Sequence, residues 1–417
     1  MLKYKIQGPT KLKGEVTISG AKNSILALMA ATLLARDEFV IHNVPVLRDI
    51  VTMQKVLEVI GAKVRREGSS LYIDTRGVNN YEAPYELVSQ MRASIYVLGP
   101  LLARYGECKV SMPGGCAWGP RPINFHIDAM KKLGAEISVE FGFIQAKASK
   151  LRGEHIIFDF VSVGATANTM MAATLAEGTT IIDNAASEPE IVDLVNFLRK
   201  MGAKIKGEGT RTIVVEGVEN LHGVEYTAIP DRIEAGTFLV AGFMTGGDIL
   251  VRNLIPEHLT SVIEKLEEAG AEMKIGKDYI RIKGEGNINP IKVITAPYPG
   301  FPTDMQAQFM AMLTIANGTS SITEGIYHDR FMHVLELMRL GANIELEKNV
   351  AIIHGVNKLT GAKLMASDLR ASAALVLAGL VAEGETIVDR IYHIERGYED
   401  FDKKLQNLGA IVEKFDE

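Results

Sequence analysis

The segment PEIVDLVNFLRKMGA, residues 189–203, contains the pattern that decides the fold. Its apolar residues recur at the helical spacing i, i+3, i+4 and i+7: Ile191, Leu194, Val195 and Leu198. This spacing predicts an amphipathic helix with one buried face. Gly202 follows directly, at the position where a glycine commonly ends a helix. The segment therefore predicts a surface helix that stops at a Gly-Ala pair.

The same Gly-Ala pair, with similar flanks, occurs six times along the chain. The six glycines are Gly61, Gly134, Gly202, Gly270, Gly341 and Gly409. Successive glycines are 73, 68, 68, 71 and 68 residues apart, which are the differences between those numbers. A nearly fixed period indicates a repeated structural unit. A purely helical solenoid is the alternative, but β-like runs such as RTIVVEGV (211–218) argue against it.

Each unit also contains a second kind of helix, apolar on nearly every side and rich in alanine. Examples are AKNSILALMAATLLA (21–35) and RASAALVLAGLVAEG (370–384). A helix without a polar face is typical of a buried position, and small residues let its neighbours approach closely. A strand-like run follows each one. The fold class predicted from these units is α/β, with helices and short strands alternating through six repeats.

The sixth repeat is incomplete, because only a short strand-like run follows Gly409. The first residues of the chain are also strand-like, so we expect them to supply what the sixth repeat lacks. With 417 residues the chain exceeds the usual size of one core. We therefore predict two three-repeat domains, 22–229 and 1–21 plus 230–417. The chain crossings near Gly20 and Ile229 would act as a hinge.

Composition and charge limit the classes of function. The net charge is -6, whereas a nucleic-acid-binding protein normally has a basic excess, so no nucleic-acid partner is expected. Two cysteines form no disulfide framework, which fits a reducing, cytoplasmic location. The N-terminus has no apolar signal-peptide core, and no apolar run approaches the roughly 18 residues of a membrane span. We expect a cytoplasmic protein with no membrane partner.

Basic residues lie at equivalent places, near the starts of the buried helices: Lys22, Arg92, Arg232 and Arg370. A cation near a helix N-terminus is disfavoured, so the set predicts an anion bound between them. The alternative is that some of these cations pair with nearby aspartates or with Glu234. For Asp304 and Asp368 taken singly, we favour a place in the first helical turn, capped by Thr303 or Ser367.

The loop MPGGCAWGPRPINFH, residues 112–126, is the most specific stretch for function. Its density of glycine and proline excludes a regular element. Cys116 lies in it five residues before Arg121, a setting typical of a reactive thiol. Cys108 lies in a strand-like run and is expected to be a small buried residue. No metal-binding, P-loop, dinucleotide-binding or serine-hydrolase motif occurs, so neither a metal nor a cofactor is expected.

Four stretches together carry a family resemblance: PGGCAWGPRP (113–122), FPTDMQAQF (301–309), MASDLRASAALVLAGLVAEG (365–384) and DRIYHIERGYED (389–400). They resemble the UDP-N-acetylglucosamine 1-carboxyvinyltransferases, a family of enolpyruvyl transferases. The resemblance extends from Gly20 to the last Gly-Ala. It implies an inside-out α/β barrel of two domains, each with three β-α-β-α-β-β units. It also implies transfer of the enolpyruvyl group of phosphoenolpyruvate to the 3′-hydroxyl of UDP-N-acetylglucosamine with release of phosphate.

The resemblance also implies roles for individual residues. The catalytic residues would be Cys116, as the general acid, with Asp304, Lys22 and Arg396. Phosphoenolpyruvate would be bound by Lys22, Asn23, Arg121, Arg370 and Arg396. UDP-N-acetylglucosamine would be bound by Asn23, Arg92, Arg121, Pro122, Ile123, Asn124, Phe125, Phe160, Val161, Ser162, Val163, Gly164, Asp304 and Ile326. Arg330 and Asp368 would support domain closure and catalysis.

The biological setting is implied in the same way. The reaction is the first committed step of peptidoglycan synthesis, and so of cell-wall biogenesis, cell shape and division. A monomer without cofactors is expected, and a covalent adduct at Cys116, including one with fosfomycin. Some members carry lysine where this chain has Phe160. The alternatives are a 3-phosphoshikimate 1-carboxyvinyltransferase, a non-catalytic UDP-sugar sensor and an RNA-processing protein of the same fold.

Overall fold

The computed structural model describes residues 2–89, 91–112 and 123–416. Its contacts divide the chain into two compact units. Unit 1 holds the described residues up to Ser19 and those from Pro230 onward, and unit 2 holds those from Gly20 to Ile229. Each unit encloses its own hydrophobic core. The chain therefore passes from one unit to the other twice, after Ser19 and after Ile229.

The described residues form short strands throughout. The strands are β1 (Leu2–Gly8), β2 (Lys13–Thr17), β3 (Glu38–His42), β4 (Lys63–Glu67), β5 (Ser70–Asp74), β6 (Glu82–Ala83), β7 (Glu107–Ser111), β8 (Glu136–Glu140), β9 (Phe143–Lys147), β10 (His155–Ile157), β11 (Thr179–Asp183), β12 (Lys204–Lys206), β13 (Thr212–Glu216), β14 (Glu225–Thr227), β15 (Asp248–Arg252), β16 (Glu272–Ile275), β17 (Tyr279–Lys283), β18 (Lys292–Ile294), β19 (Thr319–Thr323), β20 (Asn343–Glu347), β21 (Val350–His354), β22 (Lys363–Met365), β23 (Gly384–Asp389) and β24 (Ile411–Asp416).

Helices alternate with these strands. The α-helices are α1 (Lys22–Ala31), α2 (Arg48–Ile60), α3 (Tyr85–Val88), α4 (Leu98–Tyr105), α5 (Asn124–Lys132), α6 (Val163–Ala173), α7 (Pro189–Lys200), α8 (Arg232–Met244), α9 (Thr260–Glu268), α10 (Gln306–Leu313), α11 (His333–Arg339), α12 (Leu369–Val381) and α13 (Phe401–Asn407). Short 3₁₀ helices span Thr32–Leu34, Arg92–Val97, Pro256–Leu259, Thr303–Met305 and Ile391–Arg396.

The strands pair into six sheets of four, one for each predicted repeat. In every sheet one pair is parallel and two pairs are antiparallel, as in the order β10-β11-β13-β12. In four of the six sheets the chain connects the two parallel strands through the buried helix of the repeat, since a parallel connection needs a crossover. The prediction of six repeated α/β units is confirmed.

The sixth sheet contains both ends of the chain. β1 lies between β23 and β24 and is antiparallel to both, with Leu2 opposite Asp416. The N-terminal residues therefore complete the sixth repeat, as predicted from its missing strand.

The first strand of two repeats comes from the far end of a unit. β2 pairs in parallel with β15 of the fourth repeat, and β14 pairs in parallel with β3 of the first. Each unit is thus closed by a strand that is remote in sequence. The repeat period alone did not predict this exchange.

The two kinds of helix differ in burial as predicted. α8 buries all but one of its thirteen residues, whereas α7 keeps exposed and half-buried positions on one side. Each amphipathic helix ends at its Gly-Ala pair, and the six glycines have φ between 92° and 107°. In this left-handed region glycine is favoured, so the Gly-Ala pairs are helix stops.

An asparagine ends the second strand in three repeats. Asn43, Asn184 and Asn253 have φ of 61°, 55° and 58°. Their side-chain amides donate to the carbonyls of Ala228, Phe158 and Ile18, which follow the parallel partner strands. These asparagines therefore fasten the end of each parallel pair.

In the described part of the chain, no helix combines the length and apolar character needed to span a membrane.

Candidate active site

Asp304 of unit 1 lies between two buried arginines. It is part of the 3₁₀ turn that precedes α10, and its side chain is 30% exposed. Arg330 Nη1 donates to Asp304 Oδ1 at 2.9 Å, and Arg370 Nε donates to Asp304 Oδ2 at 3.2 Å. Both arginines are almost fully buried. The structure thus joins three predicted site residues in one ion-pair cluster.

Glu324 is linked to this cluster by hydrogen bonds through Thr303. Its Oε2 accepts from Thr303 Oγ1 at 2.9 Å, and Thr303 Oγ1 accepts from Arg330 Nη1 at 2.9 Å. Its Oε1 accepts from the backbone N–H of Ile326 at 2.9 Å. Glu324 is fully buried, so these bonds replace its hydration. It therefore holds the turn of Asp304 and the predicted residue Ile326 together.

The two aspartates differ in the role of their carboxylates. Asp368 is the N-cap of α12, and its Oδ1 accepts from the backbone N–H groups of Arg370 and Ala371 at 3.0 and 3.1 Å. The prediction that Ser367 caps α12 is wrong, because the Ser367 hydroxyl donates to Asp368 instead. Thr303 is likewise no cap for α10, which has no side-chain cap. Asp304 is exposed enough to meet a ligand.

The pairing alternative for the helix-start cations is confirmed where partners are seen. Arg370 pairs with Asp304, and Lys22 pairs with Asp49. Glu234 is not the partner of a helix-start cation, since its Oε1 accepts from Lys404 at 2.5 Å. The idea of an anion bound among the cations stays a prediction.

Arg396 lies at the end of the 3₁₀ turn Ile391–Arg396 and is half-buried. It is two residues before Tyr398, whose ring lies under the guanidinium of Arg370, 5.2 Å from Cζ to the centroid. The predicted residues of unit 1 therefore come from the starts of α10 and α12 and from the segments before α11 and α13.

In unit 2, Lys22 begins α1 and is 8% exposed. Its Nζ lies 3.4 Å from Asp49 Oδ2, in the first turn of α2. Asn23, next in sequence, is exposed. This ion pair within unit 2 holds the Lys22 side chain at the start of α1.

A buried histidine, His126, lies close to several predicted UDP-sugar residues of unit 2. Asn168 Nδ2 donates to His126 Nδ1 at 3.0 Å and to the carbonyl of Ile95 at 2.9 Å, while its Oδ1 accepts from Gly99 N–H at 2.7 Å. His126 Nδ1 is therefore an acceptor, and Nε2 carries the proton. Burial, with Arg92 nearby, lowers the pKa of His126 to about 4.

Gly164 approaches the other side of the same ring. A Cβ atom at Gly164 would lie 3.2 Å from His126 Nε2. Ile123, Asn124 and Phe125 immediately precede His126 at the start of α5. The start of α5 and Gly164 thus lie next to one histidine, and the charge of Arg92 is near enough to act on it.

The run 160–164 leads into α6. Ser162 is the N-cap, and its Oγ accepts from Ala165 N–H at 3.2 Å. Val161 and Val163 are half-buried, whereas Phe160 is 73% exposed. An apolar ring that exposed is available for contact with a ligand or a neighbouring segment.

Three predicted site residues, Cys116, Arg121 and Pro122, lie outside the described residues, as do Trp118 and Pro120. Cys108 is described and is buried on β7, as expected. Burial raises the pKa of its thiol to about 12, so it is not a reactive thiolate.

Several supporting residues were missed from the sequence: Asp49, His126, Asn168, Glu324 and Tyr398. Asp49 resembles an ordinary acid in a first helical turn, and Glu324 ends a strand. His126 is the last residue of the quoted loop 112–126, and Tyr398 lies in the quoted stretch 389–400, so these two positions were the available signals.

A cavity of about 1060 Å³ in unit 2 contains none of the predicted residues. Its lining includes four basic and three acidic residues: Arg36, Arg104, Lys147, Lys150, Glu107, Glu136 and Glu219. The near balance of charge favours neither anion nor cation. We therefore identify the site by its side-chain chemistry rather than by this cavity. In residues 2–89, 91–112 and 123–416, no cluster of three His, Cys, Asp or Glu residues could hold a metal ion.

Comparison with known proteins adds the family. The sequence profile of EPSP synthase (3-phosphoshikimate 1-carboxyvinyltransferase) matches residues 6–405. UDP-N-acetylglucosamine 1-carboxyvinyltransferase of Enterobacter cloacae subsp. cloacae is 57% identical over 416 residues, 99% of each chain. The enzymes of that name from Klebsiella pneumoniae and Escherichia coli are 56% identical over the same length.

Solved structures agree on the fold. The enolpyruvyl transferase NikO from Streptomyces tendae has a TM-score of 0.90 at 26% identity, covering 99% of this chain and 98% of its own. EPSP synthase from Acinetobacter baumannii has a TM-score of 0.78 at 18% identity, with full coverage of both chains. The six repeats, the four quoted motifs and these likenesses lead to one conclusion: the chain belongs to the UDP-N-acetylglucosamine 1-carboxyvinyltransferase family of enolpyruvyl transferases.

Proposed function

We propose that this enzyme transfers the enolpyruvyl group of phosphoenolpyruvate to the 3′-hydroxyl of UDP-N-acetylglucosamine. Relatives with this name are 56–57% identical over 99% of the chain, and this observation carries the proposal. This reaction, which releases phosphate, would be the first committed step of peptidoglycan synthesis and would take place in the cytoplasm. We propose a monomer without nucleic-acid partners.

The reaction needs one proton on carbon and one removed from oxygen. In the addition step, the substrate hydroxyl loses its proton, its oxygen bonds to C2 of phosphoenolpyruvate, and C3 gains a proton. In the elimination step, C3 loses a proton and the bond between C2 and the phosphate oxygen breaks. We assign the acid to Cys116 and the base to Asp304, since each can exchange the proton that its step requires.

The geometry of Asp304 is compatible with a base. Arg330 donates to Oδ1 and Arg370 donates to Oδ2, so both oxygens of this carboxylate are held in a defined orientation. The partial exposure of this carboxylate supports the assignment.

The cations are assigned to the anionic groups of the substrates. Lys22, Arg121 and Arg396 would bind the phosphate and carboxylate of phosphoenolpyruvate, with Asn23 and Arg370. Fixed cations stabilise the charge that develops as phosphate leaves. Arg330 and Asp368 would keep this machinery in place.

UDP-N-acetylglucosamine is assigned to Asn23, Arg92, residues 121–125, residues 160–164, Asp304 and Ile326. The buried ring of His126 supports the unit 2 part of this assignment, because it lies at the start of α5 and against Gly164. Phe160 lacks a positive charge, so the contact to the diphosphate is proposed to come from arginine.

A second acceptor, shikimate 3-phosphate, is worth testing because the matching family profile is that of EPSP synthase. Phosphate release from phosphoenolpyruvate would be measured with UDP-N-acetylglucosamine, with shikimate 3-phosphate and with neither. We expect phosphate release only when UDP-N-acetylglucosamine is the acceptor. Release with shikimate 3-phosphate instead would make the second acceptor correct, and tight UDP-sugar binding without release would indicate a sensor.

The same assay tests the acid. Cys116→Ala should lower the rate at least about 100-fold, the scale of general acid catalysis. Cys108→Ala, which removes the buried unreactive thiol, is the matched control and should stay near wild type. As a second readout, fosfomycin should add its mass to Cys116 and not to Cys108. A fully active Cys116→Ala enzyme would refute the assignment.

A further inference from the structure

The guanidinium of Arg370 is held less completely than its burial demands. The residue is 2% exposed, and Nε donates to Asp304 Oδ2. Within the described part of the chain, its Nη1 is buried without a hydrogen-bond partner. A buried charge with an unfilled donor needs another contact to fix its orientation. That contact is the ring of Tyr398, over which the guanidinium lies.

Hydrogen bonds to neighbouring helices fix Tyr398 itself. Its hydroxyl is 2.9 Å from Thr237 Oγ1 on α8 and 3.3 Å from Gln308 Nε2 on α10. Thr237 uses its only proton on the carbonyl of Ile233, at 2.8 Å. The Tyr398 hydroxyl must therefore donate its proton to Thr237 Oγ1. All three side chains are buried.

Gln308 connects this network to Asp304 a second time. Its Nε2 lies 3.0 Å from the backbone carbonyl of Asp304 and 3.0 Å from Thr237 Oγ1. The network thus restrains the backbone of Asp304 through Gln308 and the guanidinium on its carboxylate through Tyr398. The two restraints act on the same residue, one on its backbone and one on its carboxylate.

We propose that Tyr398 is a positioning residue that orients the Asp304 carboxylate through Arg370. The inference rests on the proposed role of Asp304 as the base. Tyr398→Phe keeps the ring and removes the hydroxyl that anchors it, and Tyr398→Leu removes both. We expect about a tenfold loss of kcat for Phe and a larger loss for Leu, with both proteins folded.

A double-mutant cycle with Arg370→Lys separates positioning from general destabilisation, because residues that act through each other are not additive. In the Arg370→Lys background, Tyr398→Phe should lower kcat by less than about twofold. The matched control is Tyr4→Phe. Tyr4 is equally buried in unit 1, and its hydroxyl donates to Asp402 at 3.3 Å. It should change kcat little in either background.

A measurement independent of activity completes the test. Exchange of the Arg370 Nε proton with solvent, followed by NMR, should become faster in Tyr398→Phe and stay unchanged in Tyr4→Phe. Equal losses of kcat in both arginine backgrounds, or unchanged proton exchange, would overturn the proposal. These outcomes differ from a failure of the proposed function, in which the wild-type enzyme would release no phosphate. Thr237→Val replaces Tyr398→Phe in the cycle if the latter fails to fold.

Discussion

Three acidic residues of unit 1 have three different tasks. Asp304 meets two guanidinium groups and remains partly exposed, Asp368 caps a helix, and Glu324 is a buried acceptor. Their side chains are chemically alike, so the surroundings decide what each does. The surroundings also decide the behaviour of two buried histidines, His126 and His333. Burial lowers the pKa of each ring to about 4.

These histidines should make folding sensitive to mild acid. A histidine in the unfolded chain titrates near pH 6.5. Below that pH the unfolded chain therefore binds protons at these histidines that the native protein does not bind. Stability is therefore full above about pH 6.5 and falls as the pH drops toward 4. At pH 5 each ring should cost about 2 kcal/mol, from the same linkage relation. Urea unfolding at pH 7 and pH 5 measures this loss.

The variant His126→Gln isolates one ring. Burial raises the pKa of Asp193 and Glu234, which act in the opposite direction, so the informative quantity is the difference between variant and wild type. His126→Gln should lose less stability between pH 7 and pH 5 than wild type does. His222, an exposed residue, gives the control His222→Gln. A His126→Gln protein with the wild-type pH dependence would contradict the prediction.

At the scale of elements, the asparagine that ends a second strand has two functions. Asn184 adopts a left-handed conformation and also bonds the carbonyl of Phe158 at 2.8 Å. Asn184→Gly should lose only the hydrogen bond, about 1 kcal/mol of unfolding free energy. Asn184→Ala should lose about 1 kcal/mol more, because a Cβ disfavours positive φ. Denaturant unfolding of both variants checks this, and equal losses would show that conformation contributes nothing.

The local sequence pattern predicted many of the helices and the positions where they end. The spacing of apolar residues in segments such as 189–203 predicted the amphipathic helices, and the Gly-Ala pairs predicted where they end. The local pattern did not predict contacts between residues that are distant in sequence. Lys22 and Asp49 are 27 positions apart, and Asp304 and Arg370 are 66 apart. Such pairs are set by packing of the repeats. The supporting residues of the site were missed for that reason, and the roles assigned to Asp304 and Cys116 came from family likeness.

At the scale of the molecule, unit 1 is built from both ends of the chain. β1 completes the sixth sheet, and β2 completes the fourth. A fragment 230–416 should therefore be unfolded, since two of its sheets lack a strand. Leu2 and Asp416 are register partners, so a short Asn-Gly turn could join residue 416 to residue 2.

The joined chain 230–416–Asn-Gly–2–19 should fold, and so should the fragment 20–229, which contains all its own strands. Circular dichroism and cooperative urea unfolding of the two fragments and the joined chain test this. A folded 230–416 fragment, or an unfolded joined chain, would contradict the role given to β1 and β2.

The position of β1 also sets a schedule for synthesis. Its partners β23 and β24 are the last strands to leave the ribosome, whereas β1 is the first. At about 5–20 residues per second, β1 waits on the order of 20–80 s with its backbone groups unpaired. During that wait residues 20–229 can close on themselves with β14 in place. The nascent protein therefore carries an unpaired strand, β1, after residues 20–229 have folded. In this period a chaperone would have the largest exposed strand edge to protect.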